Sequence, residues 1–302
     1  MNKFINLLAD PIWAISVFIV RHPRILKNDE TFIKWGYYHA LHKWPNLKCP
    51  QSFSEKLNWL KIHAKNPLYS QLVDKYAVKE WVEKQNTGVG IIPTIGVWDK
   101  FEEIDFNKLP KQFVLKCTHD SGGLVICKNK DKLDIEWTRR KIESSLKSDF
   151  FLKNREYPYK DIKRCIIAEN FMQNDDDSEL KDYKFFCFDG KPYYCQVISD
   201  RSIDEKVDFY DMNWERVEGL VGLSKNIHNS DIKILPPKSF DKMKDIVSRL
   251  SKGFPFVRVD LYEIAEMPYF GEMTFFPAAG FGEFRPDYWN QRFGDILKLP
   301  NS

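Results

Sequence analysis

Two stretches near the end of the chain decide the fold: FVRVDLY, residues 256–262, and YFGEMTF, residues 269–275. Both read as short, largely apolar strands. Side chains two apart on a strand point to the same face. Arg258 and Asp260 therefore share one face of the first strand, and Glu272 and Thr274 share one face of the second. Charged groups inside apolar strands cost free energy unless they are partnered. If the two strands pair, Asp260 and Glu272 meet, and their oxygens can hold Mg²⁺. A buried arginine–carboxylate salt bridge is the competing reading. Two acids beside one arginine favour the metal, because packing alone demands neither acid.

Working outward, more short strands come in pairs. Lys184–Asp189 and Pro192–Ile198 flank Asp189-Gly190, a strong hairpin signal. Phe113–Cys117 and Leu124–Cys127 flank the polar loop Thr118-His119-Asp120-Ser121-Gly122-Gly123. Lys116 sits near the end of that first strand. An ammonium followed by a small-residue turn suits a nucleotide phosphate. Gly122 and Gly123 let backbone N–H groups approach phosphate oxygens without a Cβ in the way. An ordinary hairpin with an exposed lysine would look the same. His119 and Asp120 can take part in proton transfer or simply structure the loop. The strand Arg164–Phe171 ends in Glu169-Asn170, which can offer a carboxylate and backbone groups to an adenine edge. A solvated acid at a strand end is the plainer alternative.

Helical patterns surround these strands. Residues 28–85 read as helical, with Phe53, Leu57, Leu60 and Ile62 near helical spacing and a start at Ser54-Glu55. Asp74–Lys84 reads as a second helix, followed by Trp137–Leu152 and Ser239–Leu250. Hairpins interleaved with helices predict an α+β fold, not a doubly wound parallel sheet.

The 302 residues suffice for two or three packed lobes around a cleft. Apolar residues make up 43% and charged residues 29%, which excludes a disordered chain. The net charge of +3 leaves no electrostatic footprint for duplex nucleic acid, so no nucleic-acid partner is expected. The six cysteines form no Cys-x-x-Cys pair and lie mostly in apolar runs, as buried reduced thiols would. Ile12–Val20 is apolar but too short for a membrane span of roughly 20 residues. It is expected to be a helix packed on the body. Contact with a membrane surface through this segment is the alternative, with Arg21 and Arg24 facing headgroups.

Taken together, FSEKLNWLK (53–61), VDKYAVKEWV (73–82), IPTIGVWDKFEEIDFNKLPKQFVLKCTHDSGG (92–123), DYKFFCFDGKP (182–192), FVRVDLY and YFGEMTFFPAAGF (269–281) resemble the ATP-grasp superfamily. The resemblance is to its TupA-like, teichuronopeptide-biosynthesis branch, found among bacterial surface-polysaccharide genes. It implies an ATP-grasp fold, in which two α+β lobes clasp ATP, behind a helical N-terminal region. The implied division is 1–72 for that region, 73–165 for the small lobe with the phosphate loop, and 166–302 for the large lobe with the metal site. It also implies ATP and Mg²⁺ as cofactors and an ADP-forming ligase that joins a carboxylate to an amine through an acyl phosphate.

Laid on this chain, the resemblance assigns roles residue by residue. Lys75 and Lys116 correspond to the lysines aimed at the phosphates, and Ser121, Gly122 and Gly123 to the loop that covers them. Glu169, with the backbones of Asn170 and Met172, corresponds to the adenine-binding linker. Asp176 falls where a carboxylate takes the ribose hydroxyls, and Lys184 where a further phosphate contact lies. Arg258 corresponds to the catalytic arginine that stabilises the developing oxyanion. Asp260 and Glu272 correspond to the metal ligands, joined by Thr274, where the superfamily usually has asparagine. The family setting adds saccharide or small-molecule acid and amine substrates, and a cytoplasmic location, with the inner face of the membrane as the alternative. A glycosyltransferase holding a metal on Asp175-Asp176-Asp177, and a non-catalytic nucleotide-binding scaffold, are the rival readings.

Overall fold

The computed structural model describes residues 10–174, 180–199, 205–223 and 227–300. The Asp175-Asp176-Asp177 run, and with it Asp176, lies outside them. The first helix, α1 (Pro11–Arg21), starts at Asp10, whose carboxylate accepts the Trp13 N–H at 2.8 Å. It packs on α2 (Asp29–Leu41), where Trp13 Nε1 donates to the His39 carbonyl at 3.2 Å. Ile12, Ile15 and Phe18 stay exposed. No helix among the described residues is long and apolar enough to cross a membrane.

Helix α3 (Phe53–His63) begins at Ser52, not at the expected Ser54. Ser52 accepts from the Glu55 N–H at 3.4 Å, and Glu55 Oε2 accepts from the Ser52 N–H at 3.1 Å. This reciprocal pair satisfies two of the helix's otherwise unpaired donors. Ser54 instead lies buried against the Tyr37 hydroxyl. Two short helices follow, α4 (Leu68–Val73) and α5 (Ala77–Lys84).

The strands then alternate with helices. β1 (Gly90–Ile91), β2 (Thr94–Trp98), β3 (Phe113–Cys117) and β4 (Leu124–Cys127) lead into α6 (Ile135–Lys147) and α7 (Phe150–Asn154). The single helix expected over Trp137–Leu152 breaks between these two. The Asp149 carboxylate accepts the Leu152 N–H at 3.2 Å and so opens a new helix rather than extending the old one. Next come β5 (Ile166–Asn170), β6 (Asp182–Phe188), β7 (Lys191–Ser199), β8 (Lys206–Asp211) and β9 (Val221–Gly222). The chain closes with α8 (Phe240–Leu250), β10 (Phe256–Ile264), β11 (Met267–Thr274), β12 (Phe284–Arg285) and α9 (Tyr288–Ile296).

Two sheets carry the architecture. A four-stranded antiparallel sheet runs β2-β5-β3-β4 and is backed by α6. β5 therefore pairs with the strands before it, within the small sheet. A six-stranded sheet runs β1-β11-β10-β6-β7-β8, antiparallel except that β1 joins β11 in parallel. The β6–β7 turn falls at Asp189-Gly190, where both φ angles are positive (48° and 74°). That backbone matches the right-handed twist of a hairpin.

On the outer face of the larger sheet, Phe185 and its neighbours pack under α8, with Phe185 stacked on Phe240. On the other face the character changes along each strand. At one end Phe186, Phe188 and Phe256 pack on Phe53 of α3 and Phe293 of α9. At the other end the same face carries Arg258, Asp260 and Lys184.

Candidate active-site cleft

The register of β10 and β11 sets Asp260 directly opposite Glu272, and Arg258 opposite Thr274. On the other flank of β10, Asp260 faces Lys184. Glu272, Asp260 and Lys184 thus form one row across three neighbouring strands. Gly271 makes the row possible. It is skipped in the register between Asp260 and Leu261, a bulge that keeps Glu272 on the cleft face while Phe270 and Met273 both reach the core. A Cβ at Gly271 would sit 2.9 Å from the Asp260 carbonyl oxygen.

Asp260 is 1% exposed and fully engaged. Arg258 Nε donates to Oδ1 at 2.7 Å, its Nη2 donates to Oδ2 at 2.8 Å, and the Lys184 ammonium also bonds Oδ2. Arg258 Nη2 reaches further to Glu272 Oε1 and Thr274 Oγ1, each at 3.0 Å. Burial works against the charged form of Asp260, but Arg258 and Lys184 outweigh it and hold the carboxyl below its ordinary value. Burial likewise opposes the Arg258 charge, while Asp260 and Glu272 raise its pKa on balance.

Facing this row, the β3–β4 loop is built by its own hydrogen bonds. Asp120 accepts from the Gly123 N–H at 3.1 Å and from the Ser145 hydroxyl. His119 Nε2 meets the Ser145 carbonyl at 3.2 Å. His119 and Asp120 are therefore loop-structuring residues in this arrangement. Gly123 is required by packing, since a Cβ there would meet Ser145 Oγ at 2.5 Å and Cys117 Sγ at 2.6 Å. At Gly122 there is ordinary room for a side chain. Lys75 donates to the Asp120 carbonyl, and burial pushes its pKa down despite the nearby Glu272 and Asp120.

Glu169, on β5 of the small sheet, meets two cations. Lys116 approaches Oε2 and Lys79 approaches Oε1, each at 2.5 Å. Burial would raise its pKa, yet the two lysines hold it below its ordinary value. Lys79 had no assigned role in the sequence, although its spacing of four from Lys75 was visible. Asp182 was also overlooked. It lies two before Lys184 on the same strand face, 3.6 Å from its ammonium.

A cavity of about 310 Å³ joins these groups. Its walls bring together Lys75, Lys116, Ser121, Gly123, Glu169, Lys184, Asp260 and Glu272. Arg258 and Thr274 line an adjoining cavity, which shares Lys75, Ser121 and Glu272. Asn170 and Met172 line a separate groove beside Pro110 and Lys128.

The donor set suits Mg²⁺ bound together with phosphates. Mg²⁺ is commonly held by one or two carboxylates, with substrate phosphates and water completing its shell. Glu272 is half exposed beside the cavity, and its Oε1 already accepts from Arg258 and, at 3.3 Å, from Thr274. No group of three or more His, Cys, Asp or Glu side chains among the described residues is arranged to hold a metal by itself. Asp260 instead has both oxygens engaged by Arg258 and Lys184, the arginine–carboxylate pairing that competes with a metal in the sequence, so Glu272 is the more accessible of the two carboxylates.

A family model described as TupA-like ATPgrasp matches residues 55–298. No curated protein matches the chain in sequence at a significant level. Among solved structures, D-alanine–D-alanine ligase from Bacillus anthracis, complexed with ATP, is 19% identical with a TM-score of 0.39, over 67% of this chain and 53% of that one. L-amino acid ligase from Bacillus licheniformis is 14% identical with a TM-score of 0.44, over 98% of this chain and 64% of that one. A RimK domain ATP-grasp protein from Sphaerobacter thermophilus is 12% identical with a TM-score of 0.42, over 75% and 66%. This chain therefore spans between about half and two thirds of the length of these structures.

Proposed function

The chain belongs to the TupA-like ATPgrasp family, and we propose on that premise that it is a ligase joining a carboxylate to an amine through an acyl phosphate. ATP-grasp enzymes use ATP and Mg²⁺. The observation that carries the reading is the row Glu272–Asp260–Lys184 facing Lys75, Lys116 and the β3–β4 loop across one cavity. Lysines from both walls, with Asp260 and Glu272 among them, suit a polyphosphate and its metal.

In this reading Lys75, Lys116 and Lys184 bind the phosphates, and the backbone of Ser121, Gly122 and Gly123 closes over them. Glu169 stands at the linker to Asn170 and Met172, which would border the adenine. Asp260, Glu272 and Thr274 would hold Mg²⁺, which offsets phosphate charge when bound. A carboxylate oxygen of the acid attacks the γ-phosphorus and ADP leaves. The neutral amine then attacks the acyl carbon, the bond to phosphate breaks, and the proton the nitrogen loses leaves with the phosphate. Arg258, held in place by Asp260, is positioned to stabilise the oxyanion. Support for a saccharide setting comes from the family branch, and we infer a uronic acid and an amino acid as the pair. Such a reaction would run on the cytoplasmic side, where ATP is supplied.

The test is direct. Protein given ATP, Mg²⁺ and a panel of uronic acids with amino acids should release ADP and phosphate for at least one pair. Asp260→Asn should lower that turnover by about 100-fold or more, the scale seen when a group that stabilises transition-state charge is removed. Release of AMP and pyrophosphate, or full turnover in the variant, would sink the proposal. UDP-sugars should give no thermal stabilisation where ATP–Mg²⁺ does, which separates this reading from a glycosyltransferase.

A further inference from the structure

The adjoining cavity, about 400 Å³, has a different chemical character. Beside Arg258 and Thr274, its walls carry the rings of Phe150, Tyr159, Phe276 and Phe281. A deep acid, Glu156, also lines it and is only 5% exposed. Among the described residues, the one hydrogen bond to its carboxylate comes from the Asn154 amide at 3.5 Å. The nearest buried cation, Lys61, does not pair with it directly. The Lys61 ammonium donates to the carbonyls of Asn154 (3.2 Å) and Ala279 (2.6 Å) and lies 4.1 Å from the centre of the Phe281 ring.

Glu156 is also held rigidly. The preceding Arg155 adopts a left-handed backbone (φ 55°). Its guanidinium donates to the carbonyls of Pro23 (2.6 Å) and Leu26 (2.8 Å) and pairs with Asp29 at 3.1 Å. A buried carboxylate with so few donors is unfavourable. Held in that state by the surrounding chain, it is prepared for a cation that arrives with a ligand.

We propose that Glu156 recognises the ammonium group of the amine substrate, whose apolar or ring-bearing body lies against Phe150, Tyr159, Phe276 and Phe281. The assignment rests on the ligase reading and deepens it by placing the amine. It also names a class: primary amines with an apolar body, not short polar ones. Burial pushes the Glu156 carboxyl up to about 7 against the pull of Lys61. An incoming ammonium would favour its ionised form, and that carboxylate is placed to take the proton the nitrogen gives up before it attacks.

The experiment measures thermal stabilisation of the full chain by amines, with Mg²⁺ and the non-hydrolysable analogue AMPPNP present. The panel holds the twenty L-amino acids, D-alanine and phenethylamine, each beside its N-acetyl derivative. At least one free amine should raise the Tm in a concentration-dependent way, and its N-acetyl derivative should not. Glu156→Gln should weaken that amine about 10-fold or more, as loss of a charged hydrogen bond does. Glu156→Asp, which keeps the charge but shortens the reach, should bind with intermediate affinity and guards against a folding defect in the first variant. The shift from AMPPNP–Mg²⁺ alone should be the same in all three proteins. Equal amine affinity in Glu156→Gln, equal binding of the N-acetyl form, or no amine binding to the unaltered chain would overturn the proposal. Loss of the AMPPNP–Mg²⁺ shift in the unaltered chain would instead sink the ligase reading.

Discussion

The face of the six-stranded sheet that looks toward the cleft is two surfaces in one. On β10 the same alternation sets Phe256, Arg258 and Asp260 side by side. On β6 it sets Phe188, Phe186, Lys184 and Asp182. At the aromatic end α3 and α9 cover the face, and the ring pairs Phe53–Phe256 and Phe186–Phe293 pack edge against face. At the charged end the cavity opens. Two strands thus supply both the stability and the chemistry, and what covers each half separates the roles. The aromatic half anchors the register that sets Asp260 opposite Glu272.

The largest expected effect comes from breaking the aromatic half. Phe186 is fully buried and touches the rings of Phe209, Phe256, Phe284 and Phe293. Phe186→Ala should cost about 3–5 kcal/mol, from lost transfer free energy and the cavity left behind. Urea unfolding monitored by tryptophan fluorescence measures it. A loss under about 1 kcal/mol would show that the aromatic half does not anchor the sheet. The contrast with Asp260→Asn then sharpens the division: that variant should lose turnover while its fold keeps the aromatic packing.

A smaller effect belongs to Glu169, whose carboxyl lies below its ordinary value of 4.5 because Lys116 and Lys79 overcome its burial. As pH falls, the unfolded chain takes up that proton before the folded chain does. The pair's contribution is therefore fully present above the ordinary value. It is lost as pH drops through the lowered folded-state value. Glu169→Gln should destabilise the protein by about 1–3 kcal/mol near neutral pH, the range for hydrogen bonds to charged groups. It should also flatten the fall of Tm between pH 5 and pH 3. An unchanged acid slope would mean that the lysines do not stabilise the folded carboxylate.

How much of this the chain announces follows from the range of each interaction. The strand pairing of 256–262 with 269–275 is legible because it needs only alternation and a short turn. The Lys184 hairpin is legible because Asp189-Gly190 tolerates positive φ. Gly271 is harder: its bulge shows only as Phe270 and Met273 standing three apart, where simple alternation would place them two apart. Ser52 was masked by Ser54, which sits nearer Glu55 but points into the core. Gly123 reads as a phosphate-approach residue, whereas its packing against Ser145 and Cys117 involves a helix some twenty residues further on. Glu156 gives no local signal at all. It lies in a polar stretch, NREYPYK, and the cavity wall it shares with Phe276 and Phe281 is assembled only by the complete fold.

The smallest effect tests the wall of the second cavity. After β11 the chain turns through Pro277–Gly280, and Ala278 (φ 48°) and Ala279 (φ 54°) both adopt the left-handed region ahead of Gly280 (φ 70°). Left-handed backbone costs roughly 1–2 kcal/mol at each residue bearing a Cβ. Two buried polar side chains of α3 hold the turn against that strain. Lys61 donates to the Ala279 carbonyl at 2.6 Å, and Asn58 Nδ2 donates to the Gly280 carbonyl at 2.7 Å. Ala279→Gly removes the strain but frees the unfolded chain. The expected balance is a gain of about 0.5 kcal/mol, seen as a small rise in Tm with turnover retained. A fall in Tm would mean that the methyl group of Ala279, on the cavity wall, contributes more by packing than its backbone costs.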